Sequence, residues 1–250
     1  HWDVAAMGQT MREGRVRAAY LIPDFHNPTG ALMPTEQRVE LAEELTRSSV
    51  VPVIDESLVD LGLDGIAPQT PLGAFAPDAI SVGSMSKVFW GGVRIGWMRV
   101  PASRMDDAAA VRLTLDLGAP VLEQLVAAEL LAADDAILMQ MRARLAVARD
   151  HRRALLPSWH VVVPSGGMAL WVRLPEERSG ALVSAALAHG LTLASGPNFA
   201  PAGGLDRWIR VPFTVAEAEL ADVAPRLAAA WEDAQAMSDP RPADRARIVA

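Results

Sequence analysis

The chain predicts an α/β fold built on a parallel-rich sheet, and three observations carry that expectation. Short, continuous apolar runs recur through the N-terminal half, which is the pattern of strands buried on both faces. Segments of helical periodicity separate them, so strand, helix and strand alternate. Hydrophobic residues make up 51% of the chain but aromatics only 5%, so Ala dominates the apolar fraction and helix-rich packing is expected.

The first strand is expected over Val16 to Ile22, an apolar, β-prone run ended by Pro23. Asn27-Pro28-Thr29-Gly30 follows as a turn-rich loop. Thr35 is placed to N-cap a helix running to about Arg47, with Leu41, Ala42 and Leu45 on one face. Val50 to Ile54, closed by Asp55, predicts the next strand, Ala79 to Gly83 another, and Ile95 to Val100 a third. In sheets of this kind ligands sit beyond the carboxyl ends of the strands. Asn27, Asp55 and the stretch Ser84 to Lys87 all fall there, which makes them candidates for one site.

From Ser103 to Leu156 the periodicity is helical, with Leu122, Leu125, Val126, Leu130 and Leu131 in one segment and Ile137, Met141, Leu145 and Ala148 in a longer one. Its arginines, Arg142 to Arg153, are expected on a solvated face. Strands follow at Trp159 to Val163 and Met168 to Leu174, joined through Pro164-Ser165-Gly166-Gly167, then a helix over Ala181 to His189. A short apolar run spans Leu191 to Ala194, and the last strand is expected at Trp208 to Val211. Thr214 and Glu217 form a capping box, and Pro225 suits the start of a further helix better than the middle of one. The organisation expected is a partial large domain over residues 1–118, a helical bridge over 119–155, a small α+β domain over 156–237 and an unstructured tail over 238–250.

The net charge of −7, with no basic run, argues against nucleic-acid or acidic-membrane binding by this stretch. There is no cysteine, hence no disulfide framework or thiolate metal site. The five histidines show no metal-ligand spacing, and no metal is expected. No apolar run reaches the length of a membrane span, about 20 residues, and a cytoplasmic protein is expected.

One residue stands apart. Of the 23 Lys and Arg side chains, Lys87 alone is lysine. Arginine replaces lysine where a solvated charge suffices. It cannot do so where an amine must lose its proton and attack a carbonyl. Taken alone, Lys87 reads equally as a Schiff-base lysine or as a surface survivor.

Taken in order, Asn27-Pro28-Thr29-Gly30, Asp55-Glu56, Ser84-x-Ser86-Lys87 with Arg94-Ile95-Gly96-Trp97, and Arg210 resemble the fold-type I pyridoxal-phosphate family of class I/II aminotransferases. The resemblance runs from about Tyr20 to about Trp231. The wording from Gly83 through Lys87 to Trp97 looks most like the aminotransferase-like half of MocR-type regulators, which join a GntR-type winged-helix DNA-binding domain to a ligand-sensing pyridoxal-phosphate domain. The resemblance implies pyridoxal 5'-phosphate as cofactor, an amino acid or amine as ligand, and a homodimer.

It also implies roles. Lys87 would be the catalytic Schiff-base lysine. Asp55 would sit beside the cofactor's ring nitrogen and keep it protonated. Asn27 would bond the ring oxygen and border the substrate. Arg94, Ser84 and Ser86 would hold the phosphate, and Arg210 would grip a substrate carboxylate through its planar fork. Glu56 is given no role. The family usually carries a tyrosine two or three residues after the aspartate. Here those positions are Ser57 and Leu58, and the sole tyrosine, Tyr20, lies elsewhere. With 26 residues before Asn27, the chain is expected to be part of a longer protein. Three readings remain: the effector-sensing part of a MocR-type regulator, part of an active aminotransferase, or a degenerate domain without cofactor.

Overall fold

The computed structural model describes residues 2–116, 118–133, 135–214 and 222–237. Two compact units divide the chain, His1–Ala146 with Pro164–Met168, and Val147–Val163 with Ala169–Ala250.

The first unit is built on a four-stranded sheet in chain order, β1 (Ala18–Leu21), β2 (Val51–Asp55), β3 (Ile80–Ser84) and β4 (Gly96–Arg99). The first three strands are parallel and β4 is antiparallel to β3, so the sheet is mixed and parallel-rich. Each strand lies within one or two residues of the apolar run that predicts it. Alternation decides the faces. Leu21 and Ile54 point to a buried core with Leu41, Leu45, Val4 and Met11, which is the side covered by α1 (Val4–Glu13) and α2 (Thr35–Arg47). Val53, Asp55, Val82 and Ser84 project to the opposite, half-open face.

Helix α1 has no counterpart among the sequence expectations. Its start is set by Asp3, whose carboxylate accepts from the Ala6 N–H at 2.9 Å. At α2 the expected cap is not used. Pro34 occupies the N-cap position, Thr35 is the first helical residue, and its hydroxyl donates to Gln69 Oε1 at 3.0 Å. One buried charge pair ties α2 to the loop after β1. Arg38, fully buried, grips Asp24 with Nη2 to Oδ1 at 2.6 Å and Nη1 to Oδ2 at 3.3 Å. It also donates to the carbonyls of Met33 and Thr70. Glu56 points to the same side as Ile54, where burial, then the Asp24 charge, raises its carboxyl above the usual range.

Three helices complete this stretch: α3 (Met85–Val88), α4 (Met105–Leu115) and α5 (Val121–Ala132). Ala127 and Leu130 of α5 pack with Met85, Phe89, Val93 and Ile95, beneath the turn that carries Lys87. Most other apolar side chains here are exposed, among them Leu113, Leu115, Leu122, Leu125 and Leu131. Helix α6 (Ala136–Leu155) crosses the boundary between the units. Its arginines depart from the expected solvated face: Arg149 and Arg152 are buried, and Arg142 donates to the Asp60 carbonyl at 2.7 Å.

The second unit carries an antiparallel sheet ordered β5 (His160–Val162), β6 (Ala169–Arg173), β8 (Trp208–Pro212) and β7 (Ala194–Ser195). Helix α7 (Ser179–Ala188) packs on α8 (Val223–Ala236). Leu170, Val172, Ile209, Val211, Leu182 and Leu227 are buried. Pro225 falls in the first turn of α8, where its missing N–H would have no acceptor in any case. Glu217 of the expected capping box and the tail over 238–250 lie outside the described residues.

Candidate functional site

Parallel strands bring their carboxyl ends to one edge, and that edge gathers the expected residues of the first unit. Asp55 ends β2, Ser84 ends β3, and Asn27 lies on the loop leaving β1. Ser86 and Lys87 occupy the single turn α3 that follows Ser84, and Arg94 lies on the return to β4. Antiparallel pairing of Ser84 with Gly96 and a bond from the Met85 N–H to the Ile95 carbonyl at 3.0 Å close this excursion on itself. Arg94 is thus held two residues from the end of the loop that begins at Ser84.

Backbone geometry explains the glycines and one unusual arginine. Gly30 has φ +69°, and a Cβ there would lie 2.4 Å from the Pro164 Cβ. Only glycine satisfies both conditions. A Cβ on Gly83 would lie 2.2 Å from the Trp97 indole, its cross-strand neighbour, so Gly83 lets that ring lie over the strand. Arg94 itself adopts φ 51°, a left-handed conformation that costs a non-glycine residue energy and recurs at ligand clamps. The Asn27–Pro28 peptide is cis.

The polar side chains of this edge fall into two groups. Asp55 is engaged: Oδ2 accepts from the Tyr20 hydroxyl at 2.5 Å and Oδ1 from the Ser57 N–H at 2.8 Å. The latter is a local turn of the kind aspartate favours. Asn27, Ser84, Ser86, Lys87 and Arg94 have no hydrogen-bonding or ionic partner among the described residues. Two hydroxyls, a guanidinium and an amine without partners form a donor set suited to a dianion. A fixed carboxylate stands beside it on the next strand. These residues therefore fit a phosphorylated pyridine cofactor.

His26, next to Asn27, is half-buried. Its Nδ1 lies 2.9 Å from the Thr29 hydroxyl, its ring meets Trp2 edge-on, and burial lowers its pKa. It serves the loop rather than the open edge. Tyr20 is the participant missed at the sequence level, where it stood outside the motif pattern.

Arg210 belongs to the second unit, in the middle of β8. Its cross-strand partners are Trp171 and Ala194. Trp171 stacks on Trp208, two residues before Arg210, with ring centroids 5.4 Å apart. Ile209 and Val211 are buried, and Arg210 projects to the other face. Its Nε is buried without a hydrogen-bond partner, and burial lowers the guanidinium pKa. A buried cationic donor without a partner leaves an uncompensated desolvation cost, and an anionic ligand would remove it.

The first unit is thus an α/β unit with unpartnered donors and an acid at its carboxyl edge, and the second an antiparallel unit with a half-buried arginine. The chain belongs to the class I and II aminotransferase family, whose model matches residues 1–227. The cofactor of that family is pyridoxal 5'-phosphate. Among curated proteins, the chain is 28% identical over 195 residues to the uncharacterized HTH-type transcriptional regulator YdfD of Bacillus subtilis, covering 72% of this chain and 39% of that protein. It is 29% identical over 187 residues to 2-aminoadipate transaminase of Thermus thermophilus, covering 70% and 46% respectively. The crystal structure of LysN, the α-aminoadipate aminotransferase of Thermus thermophilus complexed with N-(5'-phosphopyridoxyl)-L-leucine, superposes with a TM-score of 0.82 at 27% identity. That match covers 94% of this chain and 64% of LysN. The chain thus spans less than half the length of both curated relatives, and its fold is that of the fold-type I pyridoxal-phosphate enzymes.

Proposed function

We propose that this aminotransferase-like domain holds pyridoxal phosphate at the carboxyl edge of its first sheet and is the effector-sensing part of a MocR-type regulator that binds an amino acid or amine. The observation that carries this is the unpartnered set Ser84, Ser86, Lys87 and Arg94 beside the fixed Asp55 carboxylate. Ser84, Ser86 and Arg94 would hold the phosphate, and Asn27 the ring oxygen and one side of the ligand. Asp55 would keep a proton on the ring nitrogen, since a nearby carboxylate favours the cationic form. Bound there, the cofactor supplies an electron sink for charge developing at a ligand's α-carbon. Lys87 would carry a proton to and from that carbon. Arg210 would hold the ligand's carboxylate bidentately, as its unpartnered Nε supports.

In this reading the first unit is the cofactor-holding part of a large domain and the second is the small domain. DNA would be bound by a winged-helix segment of the parent protein rather than by this acidic stretch. A homodimer would cover apolar side chains now exposed on α4 and α5, such as Leu115, Leu122 and Leu125. A second reading, part of an active aminotransferase, is favoured by the similarity to 2-aminoadipate transaminase.

Reduction of the cofactor-loaded protein with borohydride, followed by peptide mapping, is expected to place the label on Lys87 and to find none in Lys87→Ala. Label confined to the N-terminal amine would overturn the assignment. Incubation with amino acids and a 2-oxo acid separates the two readings: steady amino-group exchange favours the enzyme, and a spectral response without turnover favours the sensor.

A further inference from the structure

Tyr20 and Asp55 lie on neighbouring parallel strands, 35 residues apart in sequence. The register pairs Tyr20 with Val53, so Tyr20 shares a face with Asp55, two residues further along β2. The phenol reaches diagonally across the strands and donates its hydroxyl to Oδ2 at 2.5 Å, while the Ser57 N–H holds Oδ1 at 2.8 Å. Both carboxylate oxygens are thereby fixed, and with them the rotation of the group. Core packing does not account for Tyr20, which is 63% exposed and lies outside the apolar cluster beneath the sheet. Its hydroxyl contact does.

Resting on the reading that Asp55 faces the cofactor's ring nitrogen, we propose that Tyr20 is the positioning residue for Asp55. Its hydroxyl fixes the carboxylate's rotation, leaving free lone pairs for the ring N–H. The balance of acceptors permits this. An ionised carboxylate offers about four acceptor sites, of which the two bonds occupy one on each oxygen. Hydrogen bonds donated to a carboxylate favour its charged form, and an O–H to O⁻ bond is among the stronger kinds. Burial first, then the hydrogen bond and charge of Asp55, raise the phenol to about 12, so the hydroxyl remains a donor through the neutral range. The family's tyrosine after the aspartate is replaced here by Ser57 and Leu58. The phenol at this site comes instead from the adjacent strand, and it serves the carboxylate.

Two measurements test this. The chain contains one tyrosine, so phenolate absorbance reports Tyr20 alone, and Tyr20→Phe supplies the blank. At pH about 11, with far-ultraviolet dichroism recorded on the same samples, about one-tenth of the phenol is expected to be ionised in the protein. In Asp55→Asn the fraction is expected to be distinctly larger, because the hydrogen bond and charge of the carboxylate are removed while the burial of the phenol remains. In the second measurement, Tyr20→Phe weakens cofactor binding about tenfold and displaces the pH at which the bound cofactor's absorbance shifts, whereas in the Asp55→Asn background it changes neither. Equal phenolate fractions in the two proteins, or a Tyr20→Phe loss that persists undiminished without the Asp55 carboxylate, would overturn the proposal. Absence of cofactor binding by the unsubstituted protein would instead overturn the reading of the site, and the positioning role with it. The phenolate comparison would still decide the contact itself.

Discussion

Arg38→Leu is the substitution that most directly tests how the fold supports the site. Arg38 is fully buried and Asp24 nearly so, with side-chain exposures of 0% and 3%. Besides its two bonds to Asp24, the guanidinium satisfies the Met33 carbonyl at 2.9 Å and the Thr70 carbonyl at 3.2 Å. Leucine fills part of the volume but leaves a carboxylate in an apolar setting and two carbonyls without this donor. Removing one partner of a buried pair costs about 3–5 kcal/mol. For a chain of this length each kcal/mol moves the midpoint by about 2–4 °C, so a fall of about 6–20 °C is expected.

The consequence extends to the site because Asp24 lies three residues before Asn27, in a loop pinned by His26 N–H to Ala31 O and Met33 N–H to Pro23 O, each at 2.8 Å. Thermal unfolding followed by circular dichroism measures the loss, and cofactor affinity measures its spread to Asn27. The control is Asp24→Leu combined with Arg38→Leu, which removes both charges and is expected to recover most of the stability. A fall below about 3 °C for Arg38→Leu, or a double variant as unstable as the sum of the singles, would refute the reasoning.

Burial lowers the His26 pKa, so the folded chain takes up this proton less readily than the unfolded chain, which does so near about 6.5. Stability is expected to be constant above that pH and to fall as pH drops below it. His26→Gln flattens the slope in a pH series of urea midpoints, and an unchanged slope would contradict the assignment. Gly30→Ala meets both a left-handed backbone and the Pro164 Cβ. A loss of at least about 1–3 kcal/mol is expected from the backbone alone, read as a lower urea midpoint. Arg210→Ala is expected to weaken amino-acid ligands at least several hundredfold while leaving the resting cofactor spectrum unchanged, and Arg210→Lys to recover little. A parent-like spectral titration by the Ala variant would show that the carboxylate is held elsewhere.

What could be read from the sequence follows from how local each cause is. A buried parallel strand needs a continuous apolar run, and the run shows itself whatever lies beside it. Val51–Asp55 and Ile80–Ser84 were therefore legible to within one residue. Asp55, Ser84 and Lys87 were placed at one edge by the same logic, since parallel strands share a carboxyl end. The Tyr20 contact was not legible, because it depends on the register Tyr20 to Val53, and no local pattern encodes which residues of two separated strands stand opposite. The arginines of α6 failed for a related reason: Arg149 and Arg152 have the spacing of a solvated face, yet tertiary packing buries them. At α1 a signal existed. Asp3 precedes Val4, Gly8 and Met11 on one buried face, but glycine in the middle of that stripe lowers its helical propensity.

The same distinction separates what the two strand ends contribute to chemistry. Ser84, Ser86, Lys87 and Arg94 form one local excursion closed by the pairing of Ser84 with Gly96. Their mutual placement is therefore set within a single stretch of chain, and the motif can be recognised without knowing the rest of the fold. Asp55 is different. Its position is local, but its orientation depends on a neighbour from another strand. A carboxylate free to rotate would present its lone pairs to solvent as readily as to a ring nitrogen, and rotational freedom lost on binding would weaken affinity. Fixing both oxygens beforehand removes that cost. In the proposed reading, the residues that would hold phosphate are thus carried by a motif, whereas the carboxylate that would face the ring is oriented by the sheet. If Asp55 faces the ring as proposed, substitutions in β1 are accordingly expected to change the cofactor's electronic environment without touching any residue of the motif.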